Sequence, residues 1–229
     1  MALQIEKIKA ILFDIDGTLS DTDDRMVQQA CALLKPFIRN VERRKYLARW
    51  LVMSVESPGN LFYTIADRFS LDRFFIQQIQ RLNNRKKNKK KEFWLIDGSI
   101  EMLEAVSHLP LAVVSARDEG TTYAFLDQFS LHAYFDTVVT SQTCRFTKPF
   151  PDPLLHAAEK IGVPAADCLM VGDTTVDMKA AKRAGMQAVG VLCGFGRERE
   201  LIRTGADMIL PATSDLKQFF PVGEKHCLF

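Results

Sequence analysis

Four aspartates, a serine and a lysine stand where short apolar runs of this chain end. Asp14-Ile15-Asp16-Gly17-Thr18 follows the run Ala10–Phe13, and Ser115 follows Leu111–Val114. Gly172 and Asp173 follow the run 169–171, with Asp177 four residues further on. Lys148 opens a Lys-Pro-Phe-Pro-Asp-Pro stretch that leads towards that last run. Hard oxygen ligands with few nitrogens or thiolates favour Mg²⁺ over zinc. A carboxylate attacking a phosphate dianion meets repulsion of about 4 kcal/mol per unit pair at ~4 Å and an effective dielectric of ~20. A divalent ion and a lysine can cancel it. Asp14 can then form an aspartyl-phosphate, splitting one difficult displacement into two easier ones. Asp16, two residues on, can protonate the leaving alcohol and afterwards activate water. Gly17 lets the chain turn sharply beside the ion.

These residues need a scaffold that brings strand ends together. Short apolar, β-branched-rich runs at Ala10–Phe13, Leu111–Val114, Thr137–Val139, 169–171, 188–192 and Met208–Leu210 alternate with helical spacing at 100–107, 121–129, 153–161 and 176–184. Apolar runs without strict alternation, separated by helices, predict a parallel sheet covered on both faces, a doubly wound α/β fold. In such a sheet ligands bind beyond the carboxyl ends of the strands, where all six groups fall.

One interval breaks the alternation. Residues 21–92 contain helical spacing and no strand pattern, with Asp21, Thr22 and Asp23 as helix N-cap candidates and a turn at Pro58-Gly59. The sequence therefore predicts an α/β core over 1–20 and 93–229 with an inserted α-helical cap at 21–92. The insert follows the first acidic loop directly and rejoins before Ser115, so both connections are expected beside the mouth of the site. Closure of the insert over that rim would exclude water and admit a metabolite rather than a folded phosphoprotein.

FDIDGTL, VVS, KPFPDP and VGDTTVDMKAAKRAG, in that order, resemble the four motifs of the haloacid dehalogenase superfamily. The position of the insert is similar to that of the helical-cap subgroup, and Gly194–Gly196 with Gly205-Ala206-Asp207 looks phosphoglycolate phosphatase-like. The resemblance implies a Rossmann-like core, Asp14 as nucleophile and magnesium ligand, and Asp16 as acid/base with its carbonyl on the metal. It further implies Ser115 and Lys148 on the phosphoryl group, the Ala116 backbone beside them, and Asp173 as a metal ligand. Asp177 supports the metal or Lys148; Gly17, Thr18 and Gly172 shape the loops. Ala116 stands where many relatives have Asn, which removes a side-chain contact but not the backbone N–H. The implied function is a Mg²⁺-dependent phosphatase hydrolysing a small phosphomonoester, phosphoglycolate-like, through an aspartyl-phosphate. A phosphomutase of the beta-phosphoglucomutase type would carry the same core motifs. Dehalogenation does not require the acid/base that Asp16 supplies.

Composition narrows the field. The 229 residues are 47% hydrophobic and 25% charged, which excludes wholesale disorder, collagen-like repetition and a disulfide-stapled miniprotein. No uncharged apolar run approaches the ~18 residues of a membrane span. The first residues do not read as a secretory signal, and KHCLF does not read as a prenylation box. Five scattered cysteines without a CxxC spacing read as reduced thiols of a cytoplasmic protein. The net charge of +2 hides an uneven distribution: the tract RKKNKKK at 85–91 holds six of the 30 basic residues, leaving 24 against 28 acidic ones. That tract reads as a solvated hinge segment. A binding protein that kept the fold and used the tract to hold nucleic acid or an acidic partner is the reading from a different class. Neither a spread basic face nor a recognised module supports nucleic-acid binding. Arg117 reads as a solvated or ion-paired residue, the four histidines as structural, Trp50 and Trp94 as packing residues; oligomeric state is left open.

Overall fold

Strands without polar interruption must be covered on both sides, and the computed structural model, which describes residues 3–21, 31–38, 40, 41, 44, 47, 48 and 93–220, shows how. Strands β1 (Ala10–Phe13), β2 (Leu111–Val114), β3 (Thr137–Val139), β4 (Cys168–Gly172), β5 (Gln187–Val191) and β6 (Met208–Leu210) form a wholly parallel sheet. Their order is β3-β2-β1-β4-β5-β6. Every residue of β1, β2 and β4 is buried, as central strands require, whereas β3 and β6 at the edges each bury one residue of three.

Because successive side chains point to opposite faces, each strand feeds two separate cores. Ile11, Phe13, Leu111, Val113, Leu169, Val171, Val189 and Val191 line one face. There they meet Met102, Leu103 and Val106 of helix α1 (Ser99–Val106) and Phe125 and Leu126 of α2 (Glu119–Gln128). Ala10, Leu12, Ala112, Val114, Met170 and Ala188 line the other face. It is covered by Leu154, Ala157 and Ala158 of α3 (Asp152–Ile161) and by Met178, Ala180 and Ala181 of α4 (Thr175–Ala184). Each fully buried Leu, Val, Ile or Phe contributes roughly 1.5–3 kcal/mol.

The strand order reverses around β1, whose neighbours are β2 and β4. Crossovers diverge on the two sides of that point and leave a crevice at the carboxyl ends. A short helix α5 (Glu198–Thr204), which the sequence pattern does not announce, follows β5. Strand β5 starts one residue before its predicted position because the Gln187 side chain ties the strand start to residue 4. Its Oε1 accepts from Gln4 N at 2.7 Å and its Nε2 donates to Gln4 O at 3.1 Å.

The chain divides into two compact units, Met1–Thr22 with Phe93–Phe229, and Asp23–Glu92. Asp21 stays with the first unit: its N–H donates to Trp94 O at 2.8 Å, and Ile96 N donates to Leu19 O at 2.9 Å. Ser20 and Leu95 form an antiparallel bridge between these bonds, so the chain leaves and re-enters the first unit side by side. In the second unit the described residues 31–34, 41, 44, 47 and 48 are helical. Thr22, Asp23, Trp50, Pro58-Gly59, the tract 85–91, His226 and Cys227 lie outside the described residues. The four described cysteines are free thiols, and no described helix is long and apolar enough to cross a membrane.

Candidate active site

Asp14 is the first residue beyond β1, and its N–H donates to Val171 O at 3.0 Å. Ser115 holds the same place beyond β2, with its N–H on Val139 O at 2.9 Å. Asp173 follows β4. Three adjacent strands thus deliver three polar side chains to one edge, all buried: Asp14 is 6% exposed, Ser115 4% and Asp173 0%. Buried polar groups persist only with partners.

Lys148 is the central partner. Its Nζ lies 2.8 Å from Asp14 Oδ1 and 2.6 Å from Asp177 Oδ1, and the residue is 5% exposed. Burial alone would weaken the ammonium's hold on its proton, but Asp14 and then Asp177 outweigh that and keep its pKa above the ordinary lysine value. Burial is the largest influence on Asp14 and raises it; Lys148 opposes, and Asp177 and Asp16 add to the rise. Without a bound metal the Asp14 carboxyl is pushed up to about 7.

Asp177 is held from its own helix. Thr174 is the N-cap of α4 and forms a reciprocal capping box with Asp177: Thr174 N donates to Asp177 Oδ2 at 3.1 Å and Asp177 N donates to Thr174 Oγ1 at 3.4 Å, while the Thr174 hydroxyl also donates to Asp177 Oδ2. Asp177 therefore does three things, capping a helix, fixing its own rotamer and sharing Lys148 with Asp14. Gly172 makes room for it, since a Cβ there would come within 2.5 Å of the Asp177 Cβ.

Asp173 sits in a cradle of backbone. Phe195 N donates to its Oδ2 at 2.7 Å. A Cβ on either Gly17 or Gly194 would overlap that oxygen. Gly17 also has φ +70°, in the left-handed region that disfavours any side chain. Thr18 completes this turn, with its carbonyl accepting a short hydrogen bond from the Thr213 hydroxyl.

Ligand oxygens from Asp14, Asp173 and Asp177 lie within 4.8 Å of one another, among buried groups only. Three carboxylates with no nitrogen or sulfur donor fit a hard divalent cation, and the single ammonium of Lys148 leaves the cluster with excess negative charge. The motif resemblance implies Asp14, Asp173 and the carbonyl of Asp16 for the metal; the acidic group gathered by the fold has Asp177 as its third member. The Asp16 carboxylate does not join it. That carboxylate is half-buried and salt-bridged to Arg117 at 2.6 Å. Ala116 is exposed between Ser115 and Arg117.

Two contributors escape a reading by side-chain type: the Phe195 amide, which carries no side-chain signal, and Thr174, whose Thr-x-x-Asp spacing is visible in the sequence as a capping box. Arg117 is ion-paired, one of the two options left open for it.

Residues 11–191 match the family model described as haloacid dehalogenase-like hydrolase. The chain is 28% identical over 204 residues to a phosphoglycolate phosphatase of Neisseria gonorrhoeae, covering 86% of this chain and 85% of that one. It is 25% identical over 214 residues to the pyrophosphatase PpaX of Bacillus velezensis, covering 92% and 95%. Among solved structures it is similar to a conserved haloacid dehalogenase-like protein of Agrobacterium tumefaciens, with a TM-score of 0.66 at 21% identity and coverage of 92% and 96%.

Proposed function

We infer, given that the chain belongs to the haloacid dehalogenase-like hydrolase family and is a phosphatase, that it is a cytoplasmic Mg²⁺-dependent enzyme hydrolysing a small phosphomonoester. The observation that carries this reading is Lys148 bridging Asp14 and Asp177 with Asp173 beside them at the carboxyl ends of β1 and β4. Asp14, Asp173 and Asp177 offer the oxygens for Mg²⁺, and the ion, when bound, supplies positive charge against the phosphoryl oxygens. Asp14 attacks phosphorus as the bond to the leaving oxygen breaks, and Asp16 gives that oxygen its proton. Water then attacks the aspartyl-phosphate with Asp16 as base, releasing inorganic phosphate and restoring Asp14. Lys148 and the Ser115 hydroxyl hold the phosphoryl oxygens meanwhile. Phosphoglycolate is the leading substrate because the Neisseria relative bears that name. The test is a phosphate-release screen over phosphometabolites and inorganic pyrophosphate with Mg²⁺, comparing kcat/KM and identifying products. Stoichiometric free phosphate supports hydrolysis, and accumulation of an isomeric sugar phosphate would show a mutase instead.

Chelation with EDTA is expected to abolish activity and Mg²⁺ to restore it, while excess Ca²⁺ inhibits because its larger, looser coordination misplaces the reacting groups. Affinity for Mg²⁺ should depend on pH with a definite sign. Below about pH 7 a proton occupies the Asp14 carboxyl and competes with the ion. Lowering the pH from 7 to 6 should therefore weaken apparent affinity, by up to about tenfold for one competing proton. Titration of the chelated protein with Mg²⁺ at pH 6, 7 and 8 reads this directly, and a flat profile would contradict it.

The recessed position of Asp14, Ser115 and Lys148, each under a tenth exposed, supports a small substrate. On that ground kcat/KM for the best small phosphomonoester should exceed that for any phosphopeptide by at least ~100-fold, about 2.7 kcal/mol in transition-state binding. Efficient phosphopeptide hydrolysis would overturn this.

A further inference from the structure

The carboxylate assigned to proton transfer has a fixed partner. Arg117 Nε donates to Asp16 Oδ2 at 2.8 Å and Nη2 donates to Asp16 Oδ1 at 2.6 Å, a two-bond fork. Nη2 also donates to Ser20 Oγ at 3.3 Å. The arginine side chain is 10% exposed while the Asp16 side chain is 33% exposed, so the holder is buried and the held group faces out. The guanidinium carbon lies 5.0 Å from the centroid of the Phe93 ring and 5.3 Å from that of Phe125. Those two rings meet edge to face, with centroids 5.8 Å apart. Phe93 is in turn fixed to α2, its carbonyl accepting from Gln128 Nε2 at 2.8 Å and its N–H donating to Gln128 Oε1 at 3.3 Å. At the backbone end of the residue, the Arg117 N–H donates to Ser115 Oγ at 3.1 Å.

We propose that Arg117 is a positioning residue, whose guanidinium fork, packed against Phe93 and Phe125, takes one lone pair of each Asp16 oxygen and fixes the carboxylate. An outward lone pair is left to receive the proton of the attacking water and to hand it to the next leaving-group oxygen. The proposal rests on the acid/base role given to Asp16 above. A surface ion pair needs none of this construction and contributes at most ~1 kcal/mol. Proton transfer instead demands a heavy-atom approach of about 2.6–3.2 Å, which a freely rotating carboxylate rarely holds. One strand end, beyond β2, carries both the Ser115 hydroxyl and the group that orients the acid. The place where the phosphoryl group is bound and the direction from which the proton comes are thereby set by residues two apart.

The test uses the full chain with Mg²⁺ and two substrates: the best alkyl phosphomonoester from the panel, whose leaving oxygen needs a proton, and 2,4-dinitrophenyl phosphate, whose phenolate leaves without one. Arg117→Met keeps an apolar stem between the rings; Arg117→Lys keeps a charge without the fork. For the alkyl ester, Asp16→Asn should lower kcat/KM by ~100-fold or more and Arg117→Met by ~30-fold, part of the range general acid catalysis supplies. With dinitrophenyl phosphate the burst of dinitrophenolate reads phosphorylation of Asp14 alone, and so also an intact site. Its rate should stay within about threefold of wild type in both variants, while steady-state turnover of Asp16→Asn falls because water attack still needs the base. Arg117→Lys should recover only part of the loss, and the double variant should be no worse than Asp16→Asn alone, since coupled residues are not additive. If Asp16→Asn discriminates between the substrates and Arg117→Met slows both equally or neither, the positioning role is overturned and the acid/base reading stands. If Asp16→Asn fails to discriminate, the acid/base reading falls and takes the proposal with it.

Discussion

Asp14→Asn is expected to lower kcat by at least ~10³-fold, a barrier increase of about 4 kcal/mol, with the fold intact. The substitution is nearly isosteric, and the Asn carbonyl oxygen can still accept from Lys148 at the place of Asp14 Oδ1, 2.8 Å from Nζ. What is lost is the negative charge of the carboxylate, and with it the nucleophile and an anionic oxygen for the metal. A purely electrostatic role for Asp14 would leave a larger residual rate, because a divalent ion bound as proposed would keep Asp173 and Asp177 as ligands. A variant within tenfold of wild type would refute covalent catalysis at this position. Slow recovery on storage would instead indicate deamidation back to aspartate, which mass spectrometry detects as a gain of about one mass unit. Trapping of the wild-type enzyme with beryllium fluoride on Asp14 is an independent check.

Lys148→Met should be nearly as damaging to turnover and far more damaging to stability. It leaves Asp14 and Asp177, with side chains 9% and 1% exposed, facing each other without the cation between them. Breaking a buried pair by removing one partner costs about 3–5 kcal/mol, since the remaining charge stays desolvated. Adding Asp177→Asn removes one of the stranded charges while keeping an oxygen for the Thr174 cap. The double variant should regain much of the lost melting temperature and none of the activity. Equal melting temperatures for Lys148→Met and wild type, measured in EDTA, would show that the lysine does not hold the two acids together.

The sequence exposes the strands wherever burial on both faces leaves no room for a polar residue, as at Ala10–Phe13 and Leu111–Val114, whose bounds match the structure. It exposes the acids for a related reason: a charged residue directly after such a run can only lie at the strand's carboxyl end. What it hides are contacts between distant segments. Asp16 and Arg117 are 101 residues apart, and nothing local at either position announces the other. The Phe195 amide hides differently, because any residue there would offer the same N–H; the cue lies in the flanking Gly194 and Gly196, which clear the space around Asp173. Gln187 falls outside the predicted β5 because a polar residue reads as a strand boundary, whereas its side chain bonds the backbone of Gln4.

The site is spaced by the sheet itself. Asp14 and Ser115 are held by the last rungs of the ladders, their amides bonded to Val171 O and Val139 O, and Asp173 follows a strand paired in register with β1. Neighbouring strands lie about 4.8 Å apart, so the separation of these groups is measured out by backbone hydrogen bonds rather than by packed side chains. Helix substitutions on either face can erode stability while this ruler keeps its length. Sequence drift across the two cores is thus decoupled from the spacing of these groups, whereas a slip of one residue in a single strand would shift its polar residue along the sheet and turn it to the opposite face.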